Sequence, residues 1–118
     1  GDKIPSDKLN FYKACKRGKY SVLPKVIRIG KGYVIMEKLK MYTTKCDEYQ
    51  YIIDKVYWDV YDGKYKLEDY TEQEQQVILW MEDVRKTLSE TTEFNGFGDL
   101  DEKNFGENQE GKIVYFDV

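Results

Sequence analysis

Apolar positions recur along this chain with a helical period in three places and as short β-branched runs in two others. Residues 7–17, DKLNFYKACKR, read as a first helix, with Ser6 as its N-cap and Gly18 as its C-cap. Leu9, Tyr12 and Lys16 fall on one face, and Phe11 and Cys15 on the neighbouring one. After Pro24, the residues Val26, Ile27 and Ile29 form one β run, GKG forms a turn, and Tyr33 to Met36 form a second run. That pattern predicts a hairpin. Both runs are nearly continuous in apolar residues, so a helix is expected to bury much of the hairpin on one side. Tyr49, Ile52, Ile53, Val56, Tyr57 and Val60 are spaced i, i+3, i+4, i+7, i+8 and i+11, which predicts a long second helix. Thr43 or Thr44 caps its start and Gly63 ends it. Thr71 and Glu74 form a T-x-x-E capping box, and a third helix runs on through Glu90. Its buried face is Val77, Trp80, Met81, Val84 and Leu88. Two last β runs, one around Phe105 and one in KIVYFDV, flank a Glu110-Gly111 turn.

Helix, hairpin, two helices, hairpin is an α+β order, not a repeating βαβ one. At 118 residues the chain is long enough for one domain with a real core, spanning 1–118, and too short for two. Apolar residues make up 41% and charged residues 35%, a balance that folds rather than remaining disordered. The net charge is −3 with no long run of one sign, from which no nucleic-acid partner is expected. No stretch approaches eighteen apolar residues and Gly1 to Asn10 holds no signal-like core, so no membrane partner is expected either. Cys15 and Cys46 are too few for a disulfide framework, and a reducing cytoplasm is the expected setting. There is no histidine. That excludes Ser-His-Asp and Cys-His nucleophile systems and most zinc sites, and leaves chemistry to Asp, Glu, Lys, Arg, Tyr and Asn.

The segment GFGDLDEKNFGENQEGKIVYFDV, residues 96–118, carries the one pattern with chemical content. Asp99 to Asn104 read D-L-x-x-x-N, and Asp117 follows in the predicted hairpin. This resembles the catalytic loop of the protein-kinase-like superfamily, closest to the H-G-D-x-x-x-x-N form of aminoglycoside and choline phosphotransferases, with Phe97 in the histidine position. The resemblance implies Asp99 as the group orienting an attacking hydroxyl, with Asn104 and Asp117 as magnesium ligands. The upstream order is similar too. LPKVIRIGKGYVIMEKL resembles the hairpin and hinge between the lobes, the first helix stands for the helix of the small lobe, and two long helices follow. Small bacteriophage-encoded proteins show similarly abbreviated versions. Two other readings compete. One is an acidic surface turn. The other is an EF-hand loop with Asp99, Asp101 and Glu110 at positions 1, 3 and 12, which fails at Lys103 and at Asn104, where glycine is required.

The departures from the kinase pattern bear on function. There is no G-x-G-x-x-G phosphate loop and no V-A-I-K lysine, the first helix has no glutamate, and the given sequence stops one residue after Asp117. The fold expected is therefore a reduced kinase-like one, without the Gly-rich loop or the C-terminal part of the large lobe. Lys31 or Lys38 could stand in for the phosphate lysine, but both also read as exposed hairpin residues. Eleven tyrosines crowd the chain, and Tyr51, Trp58, Tyr61 and Tyr65 on and after the second helix are candidates for an exposed, partner-binding surface. These features suggest a degenerate, non-catalytic module that binds and modulates a cytosolic protein. A phage or mobile-element protein inhibiting a host enzyme, in the host cytoplasm, would have this size. No cofactor is then expected. The alternative is a phosphotransferase, or a fragment of one, that uses Mg and ATP with Asp99 as base.

Overall fold

The computed structural model describes residues 4–116, the side chain of Asp7 excepted. In chain order the elements are α1 (Ser6–Arg17), β1 (Val26–Gly30), β2 (Tyr33–Met36), α2 (Thr44–Asp62), α3 (Glu72–Thr91), β3 (Phe105–Glu107) and β4 (Ile113–Tyr115), with 3-10 turns at Leu67–Asp69 and Glu102–Asn104. The architecture is α+β: three helices and two small antiparallel hairpins.

Local chemistry sets the helix ends. Helix α1 starts one residue before the sequence reading. Pro5 occupies the cap position, Ser6 is the first helical residue, and no side chain caps the end. A proline φ of −54° is already close to helical, and Leu9 N–H donates to the Pro5 carbonyl at 2.8 Å. Thr43, not Thr44, caps α2, where its Oγ1 accepts from Cys46 N–H at 3.2 Å. The same hydroxyl donates to Glu107 Oε1 at 2.7 Å, which ties the start of α2 to β3. The capping box of α3 is complete. Thr71 Oγ1 accepts from Glu74 N–H at 3.2 Å and Glu74 Oε1 accepts from Thr71 N–H at 2.9 Å. Lys55 Nζ on α2 donates to the second Glu74 oxygen at 2.8 Å. That bond first, and the Thr71 N–H second, hold the Glu74 carboxyl below its ordinary pKa.

One core joins all layers. Ile52, Ile53, Val56 and Val60 of α2 meet Val77, Ile78, Met81, Val84 and Leu88 of α3. Phe11 and Cys15 of α1 close one side of this core, and Phe105, Ile113 and Tyr115 of the C-terminal hairpin close another. Trp80 holds that hairpin in two ways: its ring stands edge-on to Phe105 at 5.4 Å, and its Nε1–H donates to the Ile113 carbonyl at 2.9 Å.

The first hairpin is covered on one side by a helix, as its sequence implies. Helix α1 packs on β1, and Val26, Ile29, Val34 and Met36 turn at least partly into the protein. Ile27, Tyr33 and Ile35 stand exposed on the outer face. A continuous apolar run suits a strand buried on both sides, but the sheet here has two strands and one covering helix. No helix among the described residues is long and apolar enough to cross a membrane.

Candidate functional site

The segment after α3 is shaped by packing before chemistry. Phe97 is only 1% exposed. Its ring lies 5.7 Å from Tyr57 and 6.4 Å from Tyr61, and the Arg85 guanidinium sits 4.3 Å above its face. Phe97 is thus an apolar anchor between α2 and α3. Gly98 follows with φ +69°, and a Cβ there would come 2.6 Å from the Tyr115 hydroxyl oxygen. Only glycine satisfies both constraints.

Beyond Gly98 the loop is held by two amide side chains. Asn104, 5% exposed, turns back so that its Nδ2–H donates to the Asp99 carbonyl at 3.0 Å. Gln50 reaches from α2, donating to the Leu100 carbonyl at 3.2 Å and accepting from Glu102 N–H at 2.6 Å. Asp101 Oδ1 accepts from Lys103 N–H at 3.0 Å and opens the 3-10 turn. Phe116 N–H donates to the Asn104 carbonyl at 3.0 Å, stitching the loop to the end of β4.

The sequence pair Asp99 and Asn104 is therefore brought together, by backbone rather than by two converging side chains. The Asp99 side chain is exposed and lies 3.8 Å from Lys103 Nζ, a solvent-screened pair. Asp117 lies outside the described residues. Among those described, no group of three or more acids or cysteines is placed to hold a metal ion.

Asp99 borders two concavities. The larger, a cleft of about 1050 Å³, runs between α1 and the end of α3 and is floored by Leu88 and Tyr115. Glu90, Glu93 and Asp99 line it with Thr91, Thr92 and Phe94, and among the described residues no lysine or arginine lines it. The smaller, about 250 Å³, lies between Asp99, Asp101, Asp54 and Tyr57. Near it Glu102 Oε2 is buried without a hydrogen-bond donor. Burial first, then the carboxyl of Asp47 and the charges of Asp101 and Asp54, raise the Glu102 carboxyl above its ordinary pKa. Lys31 and Lys38, the possible stand-ins for a phosphate lysine, are exposed on and beside the first hairpin.

Three of the four aromatic candidates are exposed: Tyr51 at 74%, Trp58 at 69% and Tyr61 at 50%. Trp58 and Tyr61 stand 5.7 Å apart, edge to face, and both lean on Tyr57, at 5.1 and 6.0 Å. Tyr51 shares the Trp58 face of the helix two turns earlier. Tyr65 does not join them. It is half-buried against the core and stands edge-on to Tyr70 at 6.3 Å. Gln50, Tyr57 and Arg85 were not singled out by sequence. Each sits at an ordinary polar or helical-stripe position, and only its contacts with the loop give it a role. The chain matches no protein-family model, no curated protein and no solved structure.

Proposed function

We propose that this chain is a non-catalytic protein-binding module on a kinase-like scaffold, and that it grips and modulates a cytosolic protein through the aromatic face of α2. One observation carries the reading: Trp58 and Tyr61 are exposed yet braced from below by Tyr57, which itself rests on the buried Phe97. Rigid aromatic rings that need no reordering are the usual anchors of protein interfaces. The kinase-like scaffold rests on the D-L-x-x-x-N loop and the order of elements. Asp99 opens onto a cleft lined, among the described residues, by carboxylates without a cation, a poor electrostatic setting for a triphosphate. A small phage or mobile-element inhibitor of a host enzyme fits this description. The test is affinity capture from cytosol with the wild-type chain and with Trp58→Ala/Tyr61→Ala. A stoichiometric protein retained by the first and lost by the second supports the module. Equal capture by both removes the aromatic face from the account.

The second reading, an Mg- and ATP-dependent phosphotransferase, is favoured by the Asn104 to Asp99 bond, which shapes the loop as that chemistry needs. Asp99 would be the base, and Asn104, with Asp117, the metal-holding pair. Mg-dependent phosphoryl transfer that disappears in Asp99→Asn would establish it.

A further inference from the structure

The exclusion of nucleic acid from a net charge of −3 treats that charge as evenly spread, and it is not. Residues 1–45 carry twelve lysines and arginines against three acids, Asp2, Asp7 and Glu37, a net of +9. Residues 46–118 carry seven against nineteen, a net of −12. The boundary falls at the start of α2: the cations from Lys8 to Lys31 lie in one layer, on α1, on the β1–β2 hairpin packed on it and on the segment joining them, while Lys38 and Lys40 follow the hairpin and Lys45 opens α2.

Half of these twelve cations face solvent without an ion pair, Lys19 lying over the Tyr20 ring at 5.4 Å. Lys13, Lys16, Arg17 and Lys19 of α1 and its C-terminal exit are exposed, as are Arg28 and Lys31 on the hairpin. Among the described residues none of these six forms an ion pair; in the same layer Lys25 pairs with Glu110 at 3.3 Å. Glu37, the acid at the end of β2, accepts from Lys25 N–H and so is turned to the backbone. The hairpin also has the form of a two-stranded ribbon, with no third strand in its sheet among the described residues. On its outer face Arg28 stands opposite Ile35, and Tyr33 is exposed beside the turn.

We infer that this layer docks on the phosphate backbone of a nucleic acid. A dense field of unpaired cations on one layer, almost free of acids, is what a polyanion selects. Neutralising phosphates releases counterions, which gives such a surface its affinity without base contacts. A two-stranded ribbon also has the width to enter a duplex groove, where Arg28 and Tyr33 would lie closest. The acidic remainder of the molecule repels a polyanion from the rest of the surface. The inference is independent of the protein-binding reading of α2: the two surfaces share no residue, and neither depends on the kinase resemblance.

The test is fluorescence anisotropy of a labelled 20-base-pair duplex and of a 20-nucleotide single strand, titrated with the full chain at 50 to 200 mM salt. With about four phosphates contacted, the duplex affinity should fall with a log–log slope of about −3.6, roughly a 150-fold loss over that range. Arg28→Gln/Lys31→Gln and Lys13→Gln/Lys16→Gln should each weaken binding about 10-fold or more and flatten the slope by about 2. Lys64→Gln/Lys66→Gln, an equal charge change outside the layer, should leave it unchanged. Circular dichroism of each variant separates lost binding from lost fold. The inference is overturned if neither oligonucleotide binds at 50 mM salt, or if the control variant loses as much as the layer variants. Binding of polyglutamate by a chain that ignores both oligonucleotides would also overturn it, and would assign the layer to an acidic protein surface.

Discussion

Replacing Phe97 by alanine removes the anchor on which both the Asp99 loop and the aromatic face rest. The ring is 1% exposed and touches Tyr57, Tyr61 and Arg85. Truncating a fully buried phenylalanine costs about 3–5 kcal/mol, the spread reflecting how far the site can collapse. The Arg85 stacking adds about 0.5–1 kcal/mol at a half-exposed guanidinium, part of it already inside that range. Arg85 keeps its bonds to the Val60 and Tyr61 carbonyls and its pair with Glu82, so no charge is stranded by the change. A working figure is about 4 kcal/mol, a large part of the ~5–15 kcal/mol that holds a domain together. Equilibrium urea unfolding followed by tryptophan fluorescence and circular dichroism reads it. With a slope of about 2 kcal/mol per molar, the midpoint should drop by about 2 M without a change of slope. Phe97→Leu should lose less, about 1.5 kcal/mol, because volume is largely kept while the ring contacts go. A loss under about 1 kcal/mol for Phe97→Ala would show that the loop is held by its hydrogen bonds alone, and the packing argument fails.

Three further outcomes follow from single contacts. Thr71→Ala removes one half of the α3 capping box and should lower stability by about 1 kcal/mol, read as a lower thermal midpoint. The Glu102 carboxyl is raised in the folded chain, so folding favours its protonated form; that contribution is present at low pH and lost as pH rises through the folded pKa. Glu102→Gln should therefore raise the midpoint at pH 7 and change it little at pH 4, and the opposite order contradicts the assignment. Burial pushes the Cys15 thiol up to about 12, and Cys46 is also buried and unpaired. Both should resist a thiol reagent at pH 8 until urea unfolds the chain, whereas fast labelling of the native protein would place them wrongly.

How much of this was legible in the sequence depends on whether the cause was local. Helices α2 and α3 could be read almost residue by residue, because the Tyr49 to Val60 stripe, the Thr71/Glu74 box and Gly63 act within a few positions. The cap of α1 was misassigned because Ser6 is the better side-chain cap, while Pro5 wins by backbone geometry. The first hairpin was read as covered on one side by a helix, and α1 does cover it; which helix would do so was not visible, because that packing is not local. At the site, the spacing of Asp99 and Asn104 was visible, but the contact it makes is between the Asn104 side chain and the Asp99 backbone, with the Asp99 carboxylate turned to solvent beside Lys103. Gln50 and Arg85 were not visible, since their partners lie 50 and 12 residues away along the chain and neither side chain carries a local signature. Phe97 read as a defective histidine position, and its structural role as an anchor emerges only once Tyr57, Tyr61 and Arg85 surround it. The segregation of charge was available from counting alone, and the net value concealed it.

The central claim is that the 97–104 loop is a packed support for a binding face and not a working nucleotide site. Calorimetric titration of the full chain with Mg-ATP tests this most directly. The account predicts no saturable heat up to millimolar nucleotide. A micromolar, magnesium-dependent isotherm that vanishes in Asp99→Asn and in Asn104→Ala would contradict it.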